Sequence, residues 1–139
     1  MRNYFVALLS VVIGVSVIQQ ASAIAPFKKA FDEEFVSKSD SEEFKAAFKK
    51  AGCNTCHLKG QKKEIEHLND FAKELEKRIE GNANERIKEA REAGTQKEET
   101  EKVLAELKKA FEEVVKVKTK AGDTFGDRIK AGKLPASEE

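Results

Sequence analysis

Apolar residues recur along this chain at helical spacing, and no segment shows a convincing strand alternation. Phe27, Phe31 and Phe35 stand four apart with Ala30 beside them, which predicts a first short helix. Ser37 to Ser41 interrupts it and offers a Ser39-x-x-Glu42 capping box for the next. Phe44, Ala47, Phe48 and Ala51 form the stripe of that second helix, which runs straight into Gly52 and Cys53. A loop from Leu58 to Lys63 follows. Leu68, Phe71, Ala72, Leu75 and Ile79 then mark a helix that Gly81 is placed to end. Ala83, Ile87 and Ala90 give a weaker segment stopped by Gly94. Thr95-Gln96-Lys97-Glu98 reads as a capping box for the longest helix, striped by Val103, Leu104, Leu107, Ala110, Phe111, Val114 and Val115. Ala121-Gly122 is its expected end. Thr124 to Ala131 predicts one more short helix before Gly132 and Pro135, with a frayed terminus beyond.

The first residues follow a different rule. Arg2 precedes an uncharged, largely apolar stretch from Tyr4 to Ile18, and Ala21-Ser22-Ala23 gives a small-x-small cleavage pattern. A retained anchor is the competing reading, but the stretch is shorter than the roughly 20 residues a spanning helix needs. Residues 1–23 are therefore expected to be a cleaved signal peptide, leaving 24–139 as one helical domain.

Composition adds the frame around these helices. Of 139 residues, 37% are charged and 40% hydrophobic, with no Trp, so the core is thin for its length. Without Arg2 the remaining chain holds 25 basic and 25 acidic residues, so no basic excess points to nucleic acid. The charge runs read as solvated helix faces, with Glu98–Lys102 and Glu112–Lys116 as acid-first pairs one turn apart. A buried cofactor would add apolar surface to a core that is otherwise marginal.

Cys53-Asn54-Thr55-Cys56-His57 contains the chain's two cysteines. Cys-x-x-Cys-His is the attachment signature of a covalent c-type haem. Two thiols three positions apart can reach two vinyl groups on one porphyrin edge, and the next residue then offers an imidazole to the iron. Three other readings compete. A Cys53–Cys56 disulfide would close a tiny loop and stabilise little. A thioredoxin-like pair would need a βαβ setting. Zinc could take Cys53, Cys56, His57 and His67, although adjacent Cys56 and His57 fit a tetrahedral set poorly.

Taken together, the leader, the aromatic helix entering Cys53-x-x-Cys56-His57 and the helices behind it resemble a small bacterial mono-haem cytochrome c of class I. The resemblance is specific over Cys53–His57 and extends from about Ser41 to Ile79. Asn69-Asp70-Phe71 is similar to the Asn-x-Tyr-Gly element of such proteins, with Ala72 in place of the glycine. The resemblance implies an all-α, cytochrome c-like domain with an extended charged C-terminal half, located in the bacterial periplasm. It implies one haem c tethered by Cys53 and Cys56 with His57 as proximal iron ligand. It also implies that the helix carrying Phe44 and Phe48 packs against the one spanning Val103–Val115. A cytochrome c′ fits less well, because there the motif sits near the C-terminus.

One departure bears on function. Class I members usually add a methionine as second axial ligand, whereas the one methionine here, Met1, leaves with the leader. His67, a lysine or an open position remain for the sixth site, and His67 ligation or an open site implies a lower potential than methionine ligation. The expected role is electron carriage between redox protein partners rather than enzymatic turnover. The alternatives are small-ligand or peroxide chemistry at an open iron, for which His67 is the only candidate base and no charge stabiliser is recognisable, and a non-haem interaction module with Cys53 and Cys56 bridged.

Overall fold

A computed structural model describes residues 24–62 and 65–135. The leader expected at 1–23 lies outside them. The described residues form six α-helices and no strand, so the chain is all-α as its periodicity predicts. The helices are α1 Ile24–Phe31, α2 Glu42–Ala51, α3 Asp70–Glu76, α4 Ala83–Glu92, α5 Gln96–Val114 and α6 Phe125–Lys130.

α1 continues into a wider π turn at Asp32–Val36, where the Ser37 N–H reaches the Asp32 carbonyl at 2.8 Å. The wide turn still keeps Phe31 and Phe35 in contact, with ring centroids 5.0 Å apart. Phe31 is the hub of the core. It stacks on Phe48 at 5.5 Å and meets Phe71 and Phe111 edge-on at 5.7 and 6.1 Å. Edge and offset contacts of this kind add to the burial of the rings themselves. The four-residue phenylalanine spacing thus marks the face by which α1 joins α2, α3 and α5 together.

The capping of α2 differs from expectation. Ser41, not Ser39, is the cap: its Oγ accepts from the Phe44 N–H at 3.1 Å, while Ser39 Oγ accepts from the Ser41 N–H at 3.2 Å. The second serine takes the cap because Ser39 is occupied two residues ahead of it. Thr95 likewise precedes α5 but makes no side-chain cap; its hydroxyl turns back to the Ala90 carbonyl at the end of α4.

α5 stops at Val114 rather than running to Ala121-Gly122. The run Val114-Val115-Lys116-Val117 is β-branched and a weak helix former. Its carbonyls find better partners elsewhere: Val117 accepts from Phe125 at 3.1 Å and Val115 from Gly126 at 2.9 Å. Gly126 is required there, since a Cβ would lie 2.7 Å from the Val115 oxygen. Thr124 then caps α6 in a full capping box with Asp127. The expected fraying does not begin at once, because Leu134 packs on the core and Pro135 is buried.

Packing corrects one further expectation. α5 lies against α1, α3 and α4, and it is α1 rather than α2 that supplies its aromatic neighbours before the motif. α2 instead lies on the π turn and leads into the motif turn, while its capping Ser41 sits beside Gly132 after α6. α1 and the π turn after it carry Phe27, Phe31 and Phe35, and of these Phe31 and Phe35 both meet Phe111 of α5 edge-on.

Candidate functional site

α2 delivers the motif. Its last turn ends at Ala51, and Gly52 follows with φ +54°, a left-handed conformation that favours glycine. The chain then tightens into a 3-10 turn over Gly52–Thr55. The Cys56 and His57 N–H groups both point back to the Cys53 carbonyl, at 3.2 and 3.1 Å. Thr55 donates its hydroxyl to the Gly52 carbonyl at 2.9 Å. This turn is what brings residues 53, 56 and 57 round to one side.

A second segment braces it. His57 pairs with Leu68 in an isolated antiparallel bridge, and the Leu58 N–H donates to the His67 carbonyl at 2.8 Å. Asn69 completes the brace and is buried. Its backbone N–H donates to the Cys56 carbonyl at 2.9 Å, and its side-chain amide donates to the Thr55 carbonyl, also at 2.9 Å. Its side-chain oxygen caps α3 through the Ala72 N–H at 3.0 Å. One residue therefore ties the motif backbone to the start of α3. Periodicity alone carries no trace of the brace.

Cys53, Cys56 and His57 all line one cleft. Its other walls come from Phe27, Phe31 and Phe48, from Leu68, Ala72 and Leu75, and from Leu107 and Phe111 of α5. The cleft is a narrow slot with a cavity volume of about 120 Å³, and its walls are mainly apolar with a few placed polar groups, as those of cofactor pockets commonly are. His57 is buried in the slot and Cys53 is exposed at its edge.

The two thiols differ. Cys56 is half-buried by surface, but its sulfur is closely surrounded, and that burial, with Cys53 beside it, pushes its thiol up to about 12. A thiol held in that range is protonated at neutral pH, so it is a poor nucleophile for thiol–disulfide exchange. Cys53 and Cys56 are not bridged to each other. Among the described residues no three His, Cys, Asp or Glu side chains converge as a metal set, so the zinc reading lacks its cluster.

His67 is placed differently from the other three. It is half-buried and does not line the slot. The hydrogen bond from Leu58 puts it in the segment running alongside His57, not across from it. The lysine that does reach the slot wall is Lys28, whose Nζ lies 5.4 Å from the centre of the Phe48 ring. Sequence periodicity placed Lys28 on α1 but gave no sign that α1 would form a wall of the site.

The chain matches no family model, no curated protein and no solved structure.

The residues present fit a covalent haem on chemical grounds. Two sulfurs and an imidazole border a narrow, mainly apolar slot walled in part by Phe27, Phe31, Phe48 and Phe111. Among the described residues no helix is long and apolar enough to cross a membrane.

Proposed function

We propose that this chain is an exported, periplasmic mono-haem c-type cytochrome, similar to class I, that carries single electrons between redox protein partners. The observation that carries the reading is that Cys53, Cys56 and His57 converge on one apolar slot. Cys53 and Cys56 would hold the porphyrin by thioethers and His57 would ligate its iron. When bound, the haem supplies a one-electron couple at its iron. The chain's own residues do the rest. Phe31, Phe48 and Phe111 exclude water from the slot, Asn69 fixes the turn that aims His57, and exposed Cys53 leaves one edge near solvent.

Production in a bacterial periplasm together with haem-attachment machinery tests this. The expected product is red and keeps its haem through denaturation. A colourless product, or a Cys56→Ala variant of unchanged colour and attachment, would overturn the reading.

A second reading concerns the sixth iron position. Met1 is the sole methionine, and His67 stands off the slot, which weighs against either as the second ligand. This favours an open or weakly held site, with Lys28 as the lysine on the wall. Carbon monoxide added to the reduced protein should bind rapidly and completely. Slow, partial binding that becomes fast in a Lys28→Ala variant would assign the position to Lys28. The same acceleration in His67→Ala would restore His67.

A further inference from the structure

One wall of the slot is seated by charge rather than by burial. Ile79, Gly81, Asn82, Ala83 and Asn84 line the slot where the chain turns from α3 into α4. Ile79 packs on the core, but Glu80, Gly81 and Asn84 are exposed and Asn82 and Ala83 are half-buried. Apolar burial therefore holds little of this wall beyond Ile79. Side chains from two helices hold it instead. The Glu80 N–H donates to the Glu106 carboxylate of α5 at 3.1 Å, and the Glu80 carbonyl accepts from Arg86 of α4 at 2.6 Å. Arg86 also forks onto Glu106 with two bonds of 2.9 Å, which closes a ring of contacts among the three residues. The Arg86 stem passes Gly81, where a Cβ would stand 3.9 Å from its Cδ. On α5, Leu107 follows Glu106 and lines the same slot.

Two ordinary structural roles account for part of this pattern. The Asn82 side chain accepts from the Asn84 and Glu85 N–H groups at 3.0 and 3.2 Å, which starts α4. That cap is local and does not reach α5. The α4–α5 hairpin has a tie of its own that leaves out the turn, since Arg86 meets Glu99 at 2.7 Å. The two bonds to the Glu80 backbone are additional to both.

We propose that Arg86 and Glu106 are positioning residues for the haem, holding the 79–84 wall closed so that water and small ligands reach the ring slowly. The proposal rests on the haem reading. Arginine suits the task because its planar fork holds a carboxylate and a carbonyl at the same time. Water beside a haem iron favours the more charged, oxidised state, so a closed wall also raises the potential.

The test compares two cuts in the haem-loaded protein. Glu106→Ala frees the Glu80 backbone, whereas Glu99→Ala removes the tie that leaves out the turn. Glu106→Ala should speed carbon monoxide binding to the reduced protein about tenfold, the gain in open population expected from losing a charged hydrogen bond. Its potential should fall as well. Glu99→Ala should lower the denaturation midpoint but keep the potential, and its binding rate should stay within about twofold of the parent. Equal acceleration in the two variants would overturn the proposal, because the hairpin would then act through general stability alone. So would an unchanged rate together with an unchanged potential in Glu106→Ala. If Glu106→Ala does not fold, Glu106→Gln takes its place in the same comparison. It keeps an oxygen for the Glu80 N–H but loses the paired charge, and about a threefold acceleration is expected.

If the chain proves colourless, the haem reading fails by itself. The dye 8-anilinonaphthalene-1-sulfonate, which reports exposed apolar surface, then decides the clamp in that same full chain. Brighter dye in Glu106→Ala than in Glu99→Ala, with faster exchange of the Glu80 amide, supports a wall held by charge. Equal brightness in the two variants sinks it.

Discussion

The slot and the α4–α5 hairpin are built on opposite principles. Around the slot, phenylalanines pack ring to ring, and Phe31, Phe44, Phe71 and Phe111 are among the most deeply buried side chains. In the hairpin, Ile87 and Val103 are buried apart from that aromatic cluster. Charge supplies the rest. Arg86 forks onto the Glu106 carboxylate with two bonds of 2.9 Å, reaches Glu99 at 2.7 Å and donates to the Glu80 carbonyl at 2.6 Å. Burial of apolar surface is insensitive to salt, whereas ion pairs are screened and titrate. The molecule therefore has one region that should hold its shape under most conditions and one that should respond to them. The region expected to hold its shape is the one that walls the candidate site on its aromatic side.

The largest expected effect comes from the hub. Phe31→Ala removes a ring that touches four others and should cost about 3–5 kcal/mol, read as a lower denaturation midpoint with a loosened slot. Loss of less than about 1 kcal/mol would mean that the rings repack and that the hub is not central.

Arg86→Met is the matching cut in the hairpin. Its three side chains are each less than one-third exposed, so two carboxylates would lose their partner in a partly dry setting. The expected cost is about 1–3 kcal/mol. Amide exchange should rise in α4 and the first half of α5 while residues 53–57 keep their protection. Faster exchange throughout would merge the two regions into one cooperative unit.

Asn69→Ala probes the brace. It removes the α3 cap and leaves the buried Thr55 carbonyl short of a donor, at a cost of about 1–2 kcal/mol. The effect should centre on the motif turn. A change confined to α3 would show that the motif holds itself.

The smallest effect is on pH. Hydrogen bonding from Arg86 holds the Glu106 carboxyl below the usual carboxylate range, with the Glu80 N–H helping and burial opposing. A carboxyl lowered in the folded state stabilises fully above its unfolded value and loses that contribution as pH falls through its folded value. Acidification below about pH 4 should therefore loosen α4 and α5 before the aromatic core. Near-ultraviolet signals of the phenylalanines and amide exchange of the hairpin, followed together, separate the two. Simultaneous loss would contradict the contrast.

Much of this was legible in local sequence. Phe44, Phe48 and Ala51 gave α2, Gly52 gave its end, and Gly81 and Gly94 bound α4. What local pattern could not give were choices between competing partners. Ser39 and Ser41 both suit a cap, and only the bond from Ser41 to Ser39 decides between them. Helical spacing through Val115 does not show that Phe125 and Gly126 will claim its carbonyl and that of Val117. Lys102 could reach Glu98, yet it lies 3.6 Å from Glu99. The site divides the same way. Cys53, Cys56 and His57 are adjacent in the chain and were readable, whereas Lys28, Asn69 and the α1 wall reach the slot only through tertiary packing. His67 shows the converse, since a suitable ligand chemistry in the sequence does not place a side chain on the slot.

The most direct measurement is the intact mass of the protein purified from the periplasm. Addition of two thiols across two vinyl groups loses no atoms. The account therefore predicts a single species equal to residues 24–139 plus one haem. A bare 24–139 chain, or one lighter by the two hydrogens of a Cys53–Cys56 disulfide, would contradict it.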